Sequence, residues 1–182
     1  MSVAAIRAQP PHRRQRGAAA VELALMLPLL VTLCAFIVEF GRVYWTQNVL
    51  QNAAEEGARA LSLAPANALG QRMPGIEAQL LQDIRSGGVF GIQASNIALL
   101  CLDAAFNPFA APPAYCVPGS SVAVDASLGY VQAIITLPLA NLGSWMPFYF
   151  PAVGTTGATV VNTDSGYRIT LHASALYRYA NN

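Results

Sequence analysis

The residues of this sequence that could do chemistry are few, and the oddest of them is a carboxylate. Glu22 lies in "RRQRGAAAVELALMLPLL" (13–30), at the opening of an otherwise apolar run. A charged side chain at bilayer depth costs about 2–3 kcal/mol, so its presence needs a reason. It either snorkels into headgroup water at a helix start, where the dipole favours negative charge, or it meets a positive partner. Cys101 and Cys116 flank the Pro-rich loop "CLDAAFNPFAAPPAYC". In an oxidising compartment they can form a disulfide worth about 3 kcal/mol for a loop of this length; the other reading is two unlinked thiols. Two cysteines are too few for a structural zinc site, and no metal or other cofactor is indicated. Cys34, inside the apolar run, reads as a small buried hydrophobe. Of the two histidines, His12 is in the basic head and His172 stands on the polar side of a strand, where it reads as solvated. No Ser/His/Asp or Cys/His set can be assembled without one of them. Asp103, Asp125 and Asp164 are single acids in turn-rich contexts, where bonding to nearby backbone is the ordinary role. Phosphate-cradling glycine motifs are absent. This inventory argues against an enzyme.

The elements that carry these residues follow from charge and hydropathy. Of 182 residues 54% are apolar and 10% charged, far below the usual quarter for soluble domains. Residues 1–17 hold Arg7, Arg13, Arg14 and Arg16 and no acid; the remainder has six basic against nine acidic groups, a net −3. A basic head, an apolar run and a mildly acidic body describe a single-pass protein with its N-terminus in the cytoplasm. There is no lysine, and the arginines beyond the head are scattered, which excludes a nucleic-acid surface. "LALMLPLLVTLCAFIV" (23–38) is uncharged. With Ala18–Glu22 and Glu39–Phe40 it makes about 35 Å of helix, enough to cross a core of about 30 Å with some tilt. Pro28 within it would kink the helix, which membranes tolerate. A cleaved secretory signal would need small residues just past the core; instead the run exits into "EFGRVYWTQ". Tyr44 and Trp45 suit an interfacial belt at that exit. Glu39 and Arg42 read as a local i, i+3 pair.

Beyond Phe40 no strong breaker occurs before Pro65, so 18–64 is predicted as one long helix with its membrane span at about 18–40. Val43, Leu50 and Gly57 recur every seven residues beside Ala54 and Leu61, while Gln47, Gln51, Glu55 and Arg59 mark another face. Glu55 and Arg59 form an i, i+4 pair in the favourable direction. Residues 65–182 read as a small α+β domain with an antiparallel sheet. Pro74 is predicted to open a second helix carrying Ile76, Leu80, Leu81 and Ile84, ended by Gly87-Gly88. "IALLCL" (97–102) fits a buried strand, and "YVQAIITL" (130–137) puts Val131, Ala133, Ile135 and Leu137 on one face. In "YRITLHASALYRY" (167–179), Tyr167, Ile169, Leu171, Ala173 and Ala175 alternate with polar residues. "SWMPFYFPAVGTTG" (144–157) is an aromatic excursion that either caps the core or presents a contact patch.

The stretch "RGAAAVELALMLPLL…EFGRVYWTQNVLQNAAEEGARALS" resembles the N-terminal module of TadE-like minor pseudopilins, components of the Tad (tight adherence, Flp pilus) machinery within the type IV pilus superfamily. The resemblance rests on Gly17 followed by a small residue, Glu22 at the fifth place after it, Pro28, the "EFGR" exit with Glu39, Gly41 and Arg42, and "AA..GAR" at Ala53, Ala54, Gly57, Ala58 and Arg59. It departs from the family at Leu23, where an aromatic often follows the glutamate. The resemblance implies a pilin-like architecture: a prepilin-type leader (1–17), a long helix and a periplasmic domain. It further implies cleavage between Gly17 and Ala18 by a prepilin peptidase. Glycine there would let the backbone lie extended in a tight cleft. The freed α-amino group of Ala18 would lie four residues ahead of Glu22, a counter-charge within one helix or across to a neighbour. Implied partners are that peptidase, other pilins and pseudopilins, and inner-membrane Tad assembly proteins. The rival expectation is an uncleaved single-pass anchor whose "SWMPFYF" segment and Cys101–Cys116 loop form a ligand surface.

Overall fold

The computed structural model describes residues 15–125, 127–139, 158–163 and 166–180, so the aromatic excursion at 144–157 lies outside the described residues. The chain divides into two compact units, 1–42 and 43–182. Helix α1, Gln15–Ser62, contributes to both.

In the first unit α1 is apolar on all sides. Every described side chain from Ala19 to Cys34 is exposed, the large ones included. The helix continues through Pro28. Pro28 has no N–H to give the carbonyl of Ala24, and Thr32 Oγ1 donates to the Pro28 carbonyl at 2.8 Å. By length and composition this helix could cross a membrane.

In the second unit the seven-residue stripe is the packing face. Leu50, Ala53, Ala54, Ala58 and Leu61 are buried, with Val43 packed beside them. Helix α2, Leu69–Ser86, lies against this stripe through Leu80 and Ile84. A β-carbon added at Gly57 would lie 2.7 Å from Leu80 Cδ1, so the glycine sets how closely the helices approach.

The predicted start of α2 is corrected. The helix begins five residues before Pro74, which sits inside it. Without an N–H, Pro74 cannot bond the carbonyl of Gly70. That carbonyl accepts instead from the Gly119 N–H at 2.7 Å, supplied by a distant loop. The loop presses so close that a β-carbon on Gly70 would meet the Val117 carbonyl oxygen at 2.7 Å. The end of α2 is as read. Val89 N–H bonds the Ile84 carbonyl and Gly88 N–H that of Arg85, with Gly88 at φ +82°, a Schellman closure in which glycine takes the left-handed position.

Four strands follow: β1 (Ile97–Leu102), β2 (Tyr130–Leu139), β3 (Ala158–Thr163) and β4 (Gly166–Arg178). They form one antiparallel sheet in the order β1-β2-β4-β3. Ala133 faces both Leu99 and Ala175 in the register. Val131, Ala133, Ile135 and Leu137 are buried, as are Leu171 and Ala173 on β4, with Ala175 half-buried. The face read over 130–137 is a core face, and on β4 the side chains of Tyr167 and Ile169 lie outside the described ones. Strand β3 was not read from the sequence.

The core forms two clusters. One joins Leu50, Ala54, Leu80 and Ile84 to Ile135, Leu137 and Leu171. The other gathers Leu61, Leu69 and Met73 with Cys101, Cys116, Tyr115 and Val131. Cys101 and Cys116 are disulfide-bonded, their Cα atoms 6.3 Å apart. The Tyr179 hydroxyl donates to the Ala64 carbonyl at 2.8 Å, just past the end of α1, and burial raises its pKa.

Candidate processing and assembly site

The Gly17–Ala18 bond falls in the first turn of α1, because the helix starts at Gln15. The backbone there is helical, so a protease that takes an extended strand must first unwind this turn. The barrier is low. First-turn N–H groups have no intrahelical acceptor, glycine weakens a helix by about 1 kcal/mol, and nothing lies within 4 Å of a β-carbon placed on Gly17.

Glu22 is exposed, in the middle of a surface that includes Val21, Leu23, Leu25 and Met26. No described protein group is bonded to it. Among the described residues the carboxylate stands on an exposed face. Residues 18 and 22, four apart, share one side of the helix.

The other motif residues separate into two sets. Gly41 and Arg42 are exposed, and nothing lies within 4 Å of a β-carbon on Gly41. Glu39 is half-buried and keeps Oε2 without a hydrogen bond. Ala54 and Gly57 are buried in the second unit against α2, and Arg59 is exposed at the last turn. The small residues of the "AA..GAR" signature thus pack within the molecule, and its arginine faces outward. Glu55 Oε1 accepts from Gln51 Nε2 at 3.2 Å, on the side away from its expected partner Arg59.

The polar face of α1 has a role that sequence reasoning missed. Gln47 Nε2 donates to the His172 carbonyl at 3.0 Å and Gln51 Nε2 to that of Ser174 at 3.4 Å. Both carbonyls lie beyond the last pair that β3 makes with β4, Ala158 with Leu171. The glutamines occupy a stretch of β4 edge that β3, among the described residues, does not pair. A four-residue spacing of amides on a helix was the available signal. His172 is also corrected: it is half-buried, with Nδ1 3.4 Å from Thr136 Oγ1 across the β2–β4 register.

The turn acids act locally. Asp103 Oδ1 accepts from the N–H groups of Ala105 and Asn107 at 2.8 and 2.9 Å, and the Asn107 N–H chiefly holds its pKa below the ordinary 3.8. Asp125 accepts from the Ser127 hydroxyl and N–H, and the hydroxyl bond is the main cause of its lowered pKa. Asp164 lies outside the described residues. Among the described residues no three His, Cys, Asp or Glu side chains gather as a metal site would require.

An exposed apolar helix carrying one carboxylate near its start, joined to a small α+β unit, defines a class of protein completed by a membrane or by other helices. The family model described as TadE-like protein matches residues 17–59. The match runs from Gly17 to Arg59, the last residue of the "AA..GAR" signature. Searches of curated proteins and of solved structures find no match.

Proposed function

We propose that this protein is a minor pseudopilin that takes part in assembling a type IVb (Tad/Flp) pilus for adherence or secretion. It is held in the inner membrane by α1, with residues 1–17 as a cytoplasmic leader and residues 65–182 as a periplasmic domain. A prepilin peptidase cuts between Gly17 and Ala18, and the chain acts as an assembly component without enzymatic activity. The observation that carries this reading is the uncovered apolar surface from Val21 to Phe40 with Glu22 near its beginning, in the segment that matches the TadE-like family.

The physical logic is electrostatic. Unpaired charge is penalised at low dielectric, and packing among membrane helices depends on close fit and polar bonds. Cleavage creates an ammonium group at Ala18, and Glu22 is the nearest carboxylate along the chain. A bond from that ammonium to the Glu22 of a neighbouring helix neutralises both groups and fixes the axial stagger of the two helices. The protein joins other pilins, pseudopilins and inner-membrane Tad assembly proteins in this way, and itself enters the pilus or remains at its base.

The experiment compares intact masses of wild-type protein and Gly17→Arg, extracted from membranes of cells that contain the peptidase. The wild type should begin at Ala18 and the variant should keep residues 1–17. A wild type retaining its first seventeen residues would leave the uncleaved, membrane-anchored binding module as the reading.

A further inference from the structure

Within the second unit, the turn after α2 carries the most exposed large apolar side chain described. Phe90 is 84% exposed, and it lies between Val89 and Ile92, which are both buried. Gly88 and Gly91, at φ +82° and +84°, turn the backbone on either side of it. Those two turns let Val89 and Ile92 enter the core while Phe90 points away from it. The base of the turn is pinned at two places. The Trp45 indole N–H donates to the Gly87 carbonyl at 3.0 Å, and a β-carbon on Gly87 would lie 2.8 Å from Val49 Cγ1. Arg85 Nη2 donates to the Ile92 carbonyl at 3.2 Å and braces the far side. The loop backbone is held at both ends, and its phenyl ring stands exposed.

Trp45 is itself 62% exposed and its neighbour Tyr44 63%. They stand four and five residues along the chain from Phe40, the last large apolar side chain of the exposed run. Trp and Tyr favour the headgroup level of a bilayer, where one end of the ring is apolar and the other wet. The turn Gly87–Gly91 carries no charge, and its base is bonded to one of these interfacial aromatics.

We propose that Phe90 is a second membrane contact: a fixed aromatic finger that enters the lipid headgroup region beside Trp45 and Tyr44 and holds the second unit down on the bilayer. The partner is the lipid surface itself, met on the side where the chain leaves the membrane. The proposal rests on the reading of α1 as a membrane span, and its test separates the two.

In a Cys34→Ala background, which leaves the Cys101–Cys116 disulfide intact, Phe90→Cys and Leu30→Cys are each labelled with bimane. The full chain is reconstituted in vesicles of phosphatidylcholine and phosphatidylglycerol. Spin-labelled lipids carry the nitroxide either just below the headgroup or near the bilayer centre. The label at 30 should be quenched by the deep nitroxide. The label at 90 should lose more than half its emission with the shallow nitroxide and little with the deep one. If the label at 30 is quenched and that at 90 is not, the finger is overturned and the span stands. A blue-shifted but unquenched label at 90 means a protein partner covers it and overturns the lipid contact. If neither label is quenched, both readings fall.

Discussion

The two stretches of α1 use similar apolar residues, yet one is bare and the other is covered. Between Ala19 and Cys34 apolar residues occupy every side of the helix and all described side chains are exposed. Beyond the exposed Tyr44 and Trp45, between Thr46 and Ser62, they gather on a stripe, and Leu50, Ala54, Ala58 and Leu61 are completely buried. A stripe with a polar back gives a helix a single preferred docking face, which its own domain can fill. A helix that is apolar all round has no such preference and suits lipid or a bundle of similar helices. Arrangement, more than composition, separates the part of this helix that builds the molecule from the part left for other molecules.

The comparison breaks most visibly at the covalent tie in the covered part. Replacing Cys101 and Cys116 by serine removes a cross-link over fifteen residues. This should cost about 3 kcal/mol, lowering the melting temperature of the full chain in detergent by roughly 10 °C. Calorimetry that finds no change would show that the loop contributes nothing to the second unit.

Glycine substitutions sharpen the contrast along α1 itself. Gly57→Val places its side chain against Leu80 and should destabilise by about 1–3 kcal/mol through overpacking. Gly41→Ala meets nothing within 4 Å and should be neutral or stabilise the helix by up to about 1 kcal/mol. Denaturant titration of both in one detergent measures the difference, and equal effects would deny the distinction between the stretches.

The smallest effect is on the surface of the second unit. The carboxyl pKa of Asp103 is lowered by bonding to the Asn107 and Ala105 N–H groups. Its contribution is therefore complete above the ordinary 3.8 and lost as the pH falls through the lower folded value. The protection factors of the Ala105 and Asn107 amides, measured against intrinsic exchange at each pH, should fall only below about pH 4, while the rest of the sheet keeps its protection.

Much of this architecture was legible because it repeats. The seven-residue stripe, the alternation over 130–137 and 170–175, and the Gly87-Gly88 stop each declare themselves within a short window. What escaped depends on distant groups. Pro74 looks like a helix start until Gly119 is seen to bond the carbonyl that proline leaves free. Strand β3 is six residues long and, among the described residues, pairs with β4 alone, and a brief run of β-branched residues next to a Gly-rich segment gives no period to count. The candidate site was legible as spacing, in Gly17, Glu22, Pro28 and the small residues at 53–58. That these last serve the molecule's own packing, and that Gln47 and Gln51 occupy the edge of β4, needed the tertiary structure.

In the proposed assembly, the uncovered stretch is completed by another helix through Glu22. Membrane fractionation of Glu22→Ala, with co-purification of pilus-assembly partners, tests it most directly. The variant should insert and fold as the wild type does and be lost from the co-purified assembly, with piliation abolished or severely reduced. Undiminished recovery with those partners and a normal complement of pili would contradict the claim.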